Sequence, residues 1–197
     1  MMQKKTTILK LKNCDVSLFE SCIEMNNSSF SQLRDQINWR KDIIRIFGKE
    51  IPIPRFHAWY ADNEDLHYQY SNIKMAPSIW TKQLLSIKKI TEKITSTQFN
   101  SALINLYENG ADYAAWHSDD EKELGKYPTI ASISLGATRS FHLRDKNTGE
   151  TYKTDLPHGS ILLMSGETQR HYKHQLAKTA KKVGPRINIT FRNIISN

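Results

Sequence analysis

The stretch Arg186-Ile187-Asn188-Ile189-Thr190-Phe191-Arg192, near the end of the chain, alternates strictly between polar and apolar residues. Because successive side chains of a β-strand point to opposite faces, the alternation predicts a strand with Ile187, Ile189 and Phe191 on a buried face. The other face carries two arginines, an amide and a hydroxyl. That face either lies in water, as in many amphipathic strands, or binds a dicarboxylate, which arginine holds through its planar fork.

Strands are predicted throughout the second half of the chain, where apolar runs are separated by Gly, Pro, Asn and Asp. The predicted strands before the last one are residues 102–107, 129–135, 141–144, 151–156 and 160–164. In the first of them, a period of two places Asn105 and Tyr107 on one face with Leu103. Asn105 and Tyr107 could therefore supply neutral hydrogen-bond donors to the same ligand as the arginines.

Helices are predicted in the first half of the chain. Asp15 can cap a first helix, in which the apolar residues recur at helical spacing; they are Leu18, Phe19, Cys22 and Met25. A second helix is predicted from Phe30, Leu33 and Ile37. A third begins at Pro77-Ser78, with one face formed by Trp80, Leu84, Ile87 and Ile94.

A β-hairpin is predicted between the second and third helices. Residues 43–47, which are apolar except for Arg45, and residues 51–53 flank Gly48-Lys49-Glu50, which places Phe47 near the hairpin tip. Prolines 52 and 54 indicate an edge position. Helices followed by many short strands predict an α+β protein, with a sandwich or jelly roll braced by N-terminal helices.

The composition fits one globular domain, since the chain has 197 residues of which 39% are hydrophobic. No apolar run approaches the roughly 20 residues that cross a bilayer, and the basic start of the chain lacks the apolar centre of a secretory signal. The formal net charge of +8 favours a polyanionic partner. We expect an intracellular protein, cytoplasmic if bacterial and nuclear if eukaryotic.

A metal site is indicated by His117 and Asp119, which leave the same face of an extended chain. Two histidines and one carboxylate form the facial triad of oxygen-activating Fe(II) enzymes. The second histidine is either His174 or His171, which both lie in the distal segment Gln169-Arg170-His171-Tyr172-Lys173-His174. A metal triad beside a dicarboxylate clamp indicates 2-oxoglutarate as a cosubstrate.

Taken together, these residues resemble the AlkB-type Fe(II)/2-oxoglutarate dioxygenases, the family of oxidative nucleic-acid demethylases. The resemblance runs from about residue 44 to residue 193. It rests on Phe99-Asn100, Asn105-Leu106-Tyr107-Glu108-Asn109-Gly110, Trp116-His117-Ser118-Asp119-Asp120-Glu121, residues 130–137, His158-Gly159-Ser160, His174 and residues 185–192.

The resemblance implies a double-stranded β-helix (jelly roll) within a single domain, 1–197. That domain would comprise a helical segment 1–40, a nucleotide-recognition hairpin and loop 41–76, and a dioxygenase core 95–197. The resemblance makes His117, Asp119 and His174 the Fe(II) ligands. It also implies that Arg186 binds the distal carboxylate of 2-oxoglutarate and that Arg192 lies near the keto-acid end. The other implied 2-oxoglutarate-binding residues are Asn105, Tyr107, Asn188 and Thr190.

The resemblance also implies a nucleic-acid site. Tyr68 and Tyr70 match base-contacting aromatics, and Asp120 matches a carboxylate that meets the exocyclic amine of the substrate base. In the branch that repairs duplex DNA, a hairpin finger fills the gap left by the flipped base. Here that finger is Phe47, with Gly48 in its turn, Lys49 near phosphate and Arg55 following.

The implied reaction is demethylation of N-alkylated bases such as N1-methyladenine and N3-methylcytosine in DNA, with RNA as a further candidate substrate, by a monomer that uses Fe(II), 2-oxoglutarate and O2. The products would be formaldehyde, succinate and CO2. Two alternatives remain: a non-catalytic nucleic-acid-binding module, and a zinc-dependent hydrolase whose metal-bound water is the nucleophile. Neither alternative needs both the triad and the arginine face.

Overall fold

The computed structural model describes residues 6–9, 11–46, 49–64, 66, 68–70 and 73–195, and only the backbone of residues 44–46, 49, 51, 68–70 and 73–75. The helices are α1 (Asn27–Gln36), α2 (Lys82–Thr95) and α3 (Thr168–His171), with a 3-10 turn at Lys122–Leu124. The strands are β1 (Thr6–Leu9), β2 (Asp15–Phe19), β3 (Ile43–Ile46), β4 (Lys49–Pro52), β5 (Phe56–Ala61), β6 (Tyr68–Tyr70), β7 (Ile73–Met75), β8 (Ser101–Tyr107), β9 (Ala114–His117), β10 (Ile130–Gly136), β11 (Arg139–Asp145), β12 (Thr151–Leu156), β13 (Ser160–Ser165), β14 (Tyr172–Leu176) and β15 (Arg186–Arg192).

Two antiparallel sheets face each other. The major sheet has the order β1-β2-β13-β10-β15-β8-β5, and the minor sheet has the order β12-β11-β14-β9. Strands far apart in sequence are neighbours in both sheets, and the connections cross from one sheet to the other. This arrangement is the jelly roll predicted from the sequence, and the strands predicted in the second half of the chain are all present.

The major sheet is covered on both faces. On one face, apolar residues of α1 and α2 pack against the sheet, and they include Phe30, Leu33, Leu84 and Ile87. On the other face, a second cluster fills the space between the two sheets, and it includes Ile130, Leu143, Leu156 and Leu162. Side-chain caps begin both helices: Asn26 accepts from the amide of Ser29, and Thr81 accepts from that of Leu84.

The prediction of a first helix from Asp15 is wrong. Residues 15–19 form β2, which pairs with β13 through Val16 opposite Met164 and Leu18 opposite Leu162. Val16 and Leu18 also fit a period of two, and pairing with a distant strand decides between the two periods. The segment 1–40, predicted to be helical, thus contributes two strands to the major sheet and one helix.

The helix predicted from Pro77 begins later, at Lys82 after the Thr81 cap. Trp80 therefore lies before the helix. It stacks on Tyr60 with ring centres 5.8 Å apart and donates from Nε1 to Asp62 over 2.7 Å. None of the described helices has the length and apolar character needed to span a membrane.

The predicted hairpin is present as β3 and β4, with Ile46 opposite Lys49. Residues 47 and 48 therefore connect the strands, but Phe47 and Gly48 lie outside the described residues. A second short hairpin is formed by β6 and β7, with Tyr68 opposite Met75. Both hairpins precede the core strands that line the site.

Candidate metal and anion site

A cavity lies between the two sheets, where the polar faces of β15 and β8 meet β9 and β14. Its volume is about 510 Å³ when the part open to solvent is included. Its polar lining consists of Arg55, Asn105, Tyr107, His117, Asp119, Ser132, His174, Arg186, Asn188, Thr190 and Arg192. Nine of these residues are ones that the sequence predicted for the metal and 2-oxoglutarate.

The polar face of β15 is buried in this cavity rather than placed in water. Arg186 and Arg192 are each 2% exposed. The apolar residues of the same strand, Ile187, Ile189 and Phe191, face the helices. The alternation therefore predicted the two faces of β15 correctly, and the alternative of a solvated polar face is wrong.

Three potential metal ligands come together at one end of the cavity. His117 on β9 is paired in register with His174 on β14, and Asp119 follows β9 by two residues. Ligand atoms of the three side chains all lie within 4.8 Å of one another. His171 lies outside this cluster and places Nε2 3.1 Å from Glu167 Oε2. His174, rather than His171, is therefore placed to complete a triad.

The protonation states of the three residues suit a metal. His117 Nδ1 lies 2.7 Å from the carbonyl oxygen of Ala115, which keeps the proton on Nδ1 and leaves Nε2 available. Burial, followed by the charge of His117, lowers the pKa of His174 to about 3, so His174 is neutral at pH 7. Burial raises the pKa of Asp119, but Arg192 and the two histidines outweigh this effect and bring it well below its usual range.

Asp119 is also held by Arg192, whose Nη2 lies 2.9 Å from Oδ2 of the carboxylate. Both side chains are almost fully buried. Oδ1 of Asp119 is buried and has no hydrogen-bond partner among the described residues. A buried carboxylate oxygen without a partner is costly, and a cation shared with the two histidines would satisfy it.

Arg186 occupies the other end of the polar face and carries a buried charge. Its Nη2 donates to Ser134 Oγ over 2.8 Å, and its Nε has no hydrogen-bond partner among the described residues. No carboxylate of the described chain forms an ion pair with it, and Arg139 adds a second positive charge nearby. Because an unpaired buried charge is expensive, this end of the cavity suits an anionic ligand.

The amide and hydroxyl residues of the cavity are already engaged in hydrogen bonds. Asn105 Oδ1 accepts from Arg55 Nε over 2.9 Å. The amide nitrogen of Asn188 donates to Ser132 Oγ and to the carbonyl of Ile133. Thr190 donates to Asn188 Oδ1 over 3.1 Å. Asn188 and Thr190 therefore line the cavity as predicted, but their hydrogen bonds mainly fix the wall beside the arginines.

Other predicted site residues lie outside the cavity or outside the described part of the chain. Asp120 is exposed and lies 3.5 Å from Lys146 Nζ. The side chains of Lys49, Tyr68 and Tyr70, like Phe47 and Gly48 as a whole, lie outside the described residues. Their predicted contacts with nucleic acid stay predictions.

Two buried polar residues that hold the site together were not predicted from the sequence. Arg139 is 3% exposed and donates to the carbonyls of Asn109, Asp112 and Ala177. Gln169 is 2% exposed and accepts a hydrogen bond from the amide of Asp119. No local signal identifies either residue, because their partners are distant in sequence.

Comparison with known proteins identifies the family. Residues 22–192 match the model of the 2OG-Fe(II) oxygenase superfamily. The alpha-ketoglutarate-dependent dioxygenase alkB homolog 3 of Bos taurus is 38% identical over 194 residues, which cover 93% of this chain and 63% of that protein. The DNA oxidative demethylase ALKBH2 of Bos taurus is 33% identical over 194 residues, which cover 93% of this chain and 69% of that protein.

The fold is shared with a solved structure of OsALKBH1, with a TM-score of 0.65, 16% identity, and coverage of 90% of this chain and 97% of that one. The chain spans less than two-thirds of the length of the alkB homolog 3 proteins that it matches. The match to the superfamily model spans every residue that lines the cavity described above. The chain therefore belongs to the 2OG-Fe(II) oxygenase superfamily and, within it, to the AlkB family.

Proposed function

We propose that this protein is an Fe(II)- and 2-oxoglutarate-dependent dioxygenase that demethylates N-alkylated bases, such as N1-methyladenine and N3-methylcytosine, in DNA. One observation carries the proposal. The buried guanidinium of Arg186 has no ion-paired carboxylate in the described part of the chain, and it lies in the same cavity as His117, Asp119 and His174. A zinc hydrolase has no need for that buried charge, and a binding module has no need for the triad.

Each end of the cavity has a distinct proposed role. His117, Asp119 and His174 would hold Fe(II), and Arg192 would keep the Asp119 carboxylate ionised and oriented. Arg186 would bind the distal carboxylate of 2-oxoglutarate with Tyr107 beside it, while Asn105, Asn188 and Thr190 would shape the wall. When bound, Fe(II) and 2-oxoglutarate would supply the O2-dependent oxidation that converts an N-methyl group to formaldehyde, with succinate and CO2 as the other products.

The substrate base must reach this cavity. A methyl group on the pairing edge of a base is inaccessible inside a stacked duplex, so the nucleotide has to be extruded. Damage that already prevents pairing lowers the cost of extrusion. Asp120, exposed three residues after the end of β9, would meet the exocyclic amine of the base, and Tyr68 and Tyr70 would stack on the base. The net charge of +8 favours the nucleic-acid backbone.

The similarity to ALKBH2, named as a DNA oxidative demethylase, supports DNA as the substrate. RNA is a second candidate substrate, because the base and its methyl group are the same in both polymers. We further propose that the protein acts as a monomer, with residues 41–76 as the nucleotide-recognition region and residues 95–197 as the dioxygenase core.

In the decisive experiment, the protein is loaded anaerobically with Fe(II) and 2-oxoglutarate, air is admitted, and formaldehyde and succinate are measured. With oligonucleotides containing N1-methyladenine or N3-methylcytosine, we expect formaldehyde and succinate to form together. The matched control is an unmethylated oligonucleotide, which should yield no formaldehyde. Binding of the methylated oligonucleotide without formaldehyde release would contradict the proposal.

A further inference from the structure

We infer that Gln169 is a positioning residue for the metal site, acting through the backbone of Asp119. This inference rests on the proposed metal-binding role of Asp119, and it assigns a function to a residue that does not line the cavity. The observation behind it is a buried hydrogen bond between residues 50 positions apart: the Asp119 amide donates to Gln169 Oε1 over 2.9 Å.

The side chain of Gln169 is held at both of its polar atoms. Oε1 accepts from the Asp119 amide, and Nε2 contacts the sulfur of Met164 at 3.6 Å. Gln169 is 2% exposed and Asp119 is 1% exposed, so water does not readily replace either partner. The carboxamide is therefore fixed in one orientation, and so is the peptide that carries the Asp119 side chain.

Other contacts also restrain the chain around Asp119. The Asp119 carboxylate pairs with Arg192 Nη2 over 2.9 Å. Ser118 Oγ donates to the carbonyl of Tyr172 over 2.9 Å, which anchors the preceding residue. Asp120, the next residue, is exposed. The bond to Gln169 differs from these contacts because it holds the backbone amide of Asp119, whereas Arg192 holds the carboxylate.

The short helix α3 that carries Gln169 is itself anchored to the sheets. Thr168 Oγ1 accepts from the amide of Asp15 on β2 and donates to the carbonyl of Ser165 on β13. The carbonyl of Gln169 accepts from Lys146 Nζ over 2.8 Å, and that amine lies 3.5 Å from Asp120. Through these contacts, Gln169 connects the major sheet to the backbone of Asp119 and limits how far that residue can move.

The test measures metal affinity rather than turnover. Gln169→Met removes the acceptor at nearly constant volume, and Gln83→Met is the matched control. Gln83 donates to the carbonyl of Ser29 in the helical layer, away from the cavity. Loss of an outer partner of a metal ligand typically weakens metal binding about 10- to 100-fold. We expect Gln169→Met to raise the Mn(II) Kd by about that factor in calorimetry and Gln83→Met to leave it unchanged.

Two further measurements keep the inference testable if Gln169→Met does not fold. Gln169→Asn keeps the amide but shortens its reach, and it should also weaken Mn(II) binding. In the parent protein without metal, the Asp119 amide should exchange slowly with solvent, as a buried and bonded amide does. An Mn(II) Kd equal to that of the parent in either variant, or rapid exchange of that amide, would overturn the inference.

Turnover separates a positioning role from a purely structural one. With limiting iron, Gln169→Met should release less formaldehyde than the parent, and saturating iron should restore much of the activity. A variant that only destabilised the fold would show a lower Tm without this dependence on iron. A parent protein that binds Mn(II) but consumes no 2-oxoglutarate would contradict the proposed function and leave the Mn(II) test of Gln169 intact.

Discussion

Arg186 lies directly opposite Tyr107 across β15 and β8, and its guanidinium carbon is 5.4 Å from the centre of the tyrosine ring. Burial lowers the pKa of Arg186 to about 10, so the side chain remains charged at neutral pH. Arg139 lies 6.0 Å from the centre of the same ring. The ring is thus near two arginines: Arg139, which donates to backbone carbonyls, and Arg186, which has no ion-paired carboxylate among the described residues.

We predict that Arg186→Ala raises the KM for 2-oxoglutarate while leaving Mn(II) affinity intact. A hydrogen bond to a charged group contributes about 1.5 to 3 kcal/mol, which corresponds to a roughly 10- to 100-fold rise in KM. Arg186→Lys should restore only part of the affinity, since lysine cannot make a bidentate contact. An unchanged KM in Arg186→Ala would remove this residue from the cosubstrate site.

Removal of any one triad residue should abolish both tight metal binding and turnover. His117→Ala, Asp119→Ala and His174→Ala each leave two ligands, which cannot hold Fe(II) in the required geometry. His171→Ala is the control, because His171 contacts Glu167 on the surface of α3 instead. Calorimetry with Mn(II) and formaldehyde release measure the two properties. An inactive His171→Ala beside an active His174→Ala would reverse the ligand assignment.

The stability of the protein should fall in mild acid, in part because of His57. This residue is 1% exposed, and its Nε2 lies 3.2 Å from Asp42 Oδ2. Burial lowers the pKa of His57, although Asp42 opposes the effect, and the charges of Arg55 and Arg40 lower it further. The unfolded chain therefore binds a proton that the native protein does not, and stability is lost as the pH falls below about 6.5.

Urea denaturation of the metal-free protein at a series of pH values measures this effect. His57→Gln should reduce the dependence of unfolding free energy on pH between about 7.5 and 5.5. Asp42→Asn should steepen it, because it removes the carboxylate that raises the pKa of His57. The same pH dependence in His57→Gln and the parent would show that His57 does not contribute.

The predicted finger at Phe47 gives a prediction for the hairpin of β3 and β4. If the ring fills the gap left by an extruded base, Phe47→Ala should depress repair of a methylated base in duplex DNA far more than in single-stranded DNA, with an unchanged Tm. If the ring belongs to the core, the variant should lose about 3 to 5 kcal/mol of stability and act equally poorly on both substrates. Ile43, at the start of this hairpin, is 60% exposed, which favours the finger.

Local sequence patterns predicted the jelly-roll strands, and a period of two within β15 and β8 indicated which of their side chains share a face. The assignment of those side chains to a cosubstrate site came from the family resemblance. The period of two placed Arg186 and Asn188 on one face of β15, and Asn105 and Tyr107 on one face of β8, without any knowledge of the partner strands. The pattern failed for β2, where Leu18 and Cys22 fit a helix as well as Val16 and Leu18 fit a strand. Only the pairing with β13 distinguishes the two, and that pairing is not local.

Gln169 could not be predicted for a related reason. Its partner is a backbone amide, which leaves no mark in the sequence, and the two residues are 50 positions apart. Residue spacing also left His174 and His171 as alternatives, because both histidines lie within one short segment, and only the family resemblance favoured His174. The register of β14 against β9, with His174 opposite His117, distinguishes them.

The pairing of β2 with β13 has a consequence for how the protein folds. Asp15 lies opposite Ser165, so one of the inner strand pairs of the major sheet closes a loop of about 150 residues. Strand pairs so far apart in sequence form slowly, because the chain loses the conformational entropy of the closed loop before the pairing stabilises it. During synthesis, β2 cannot form its contacts with β13 and α3 until those segments have left the ribosome. The segment around Gln169 should therefore become ordered among the last parts of the molecule, so that metal-binding competence arises only with the completed fold.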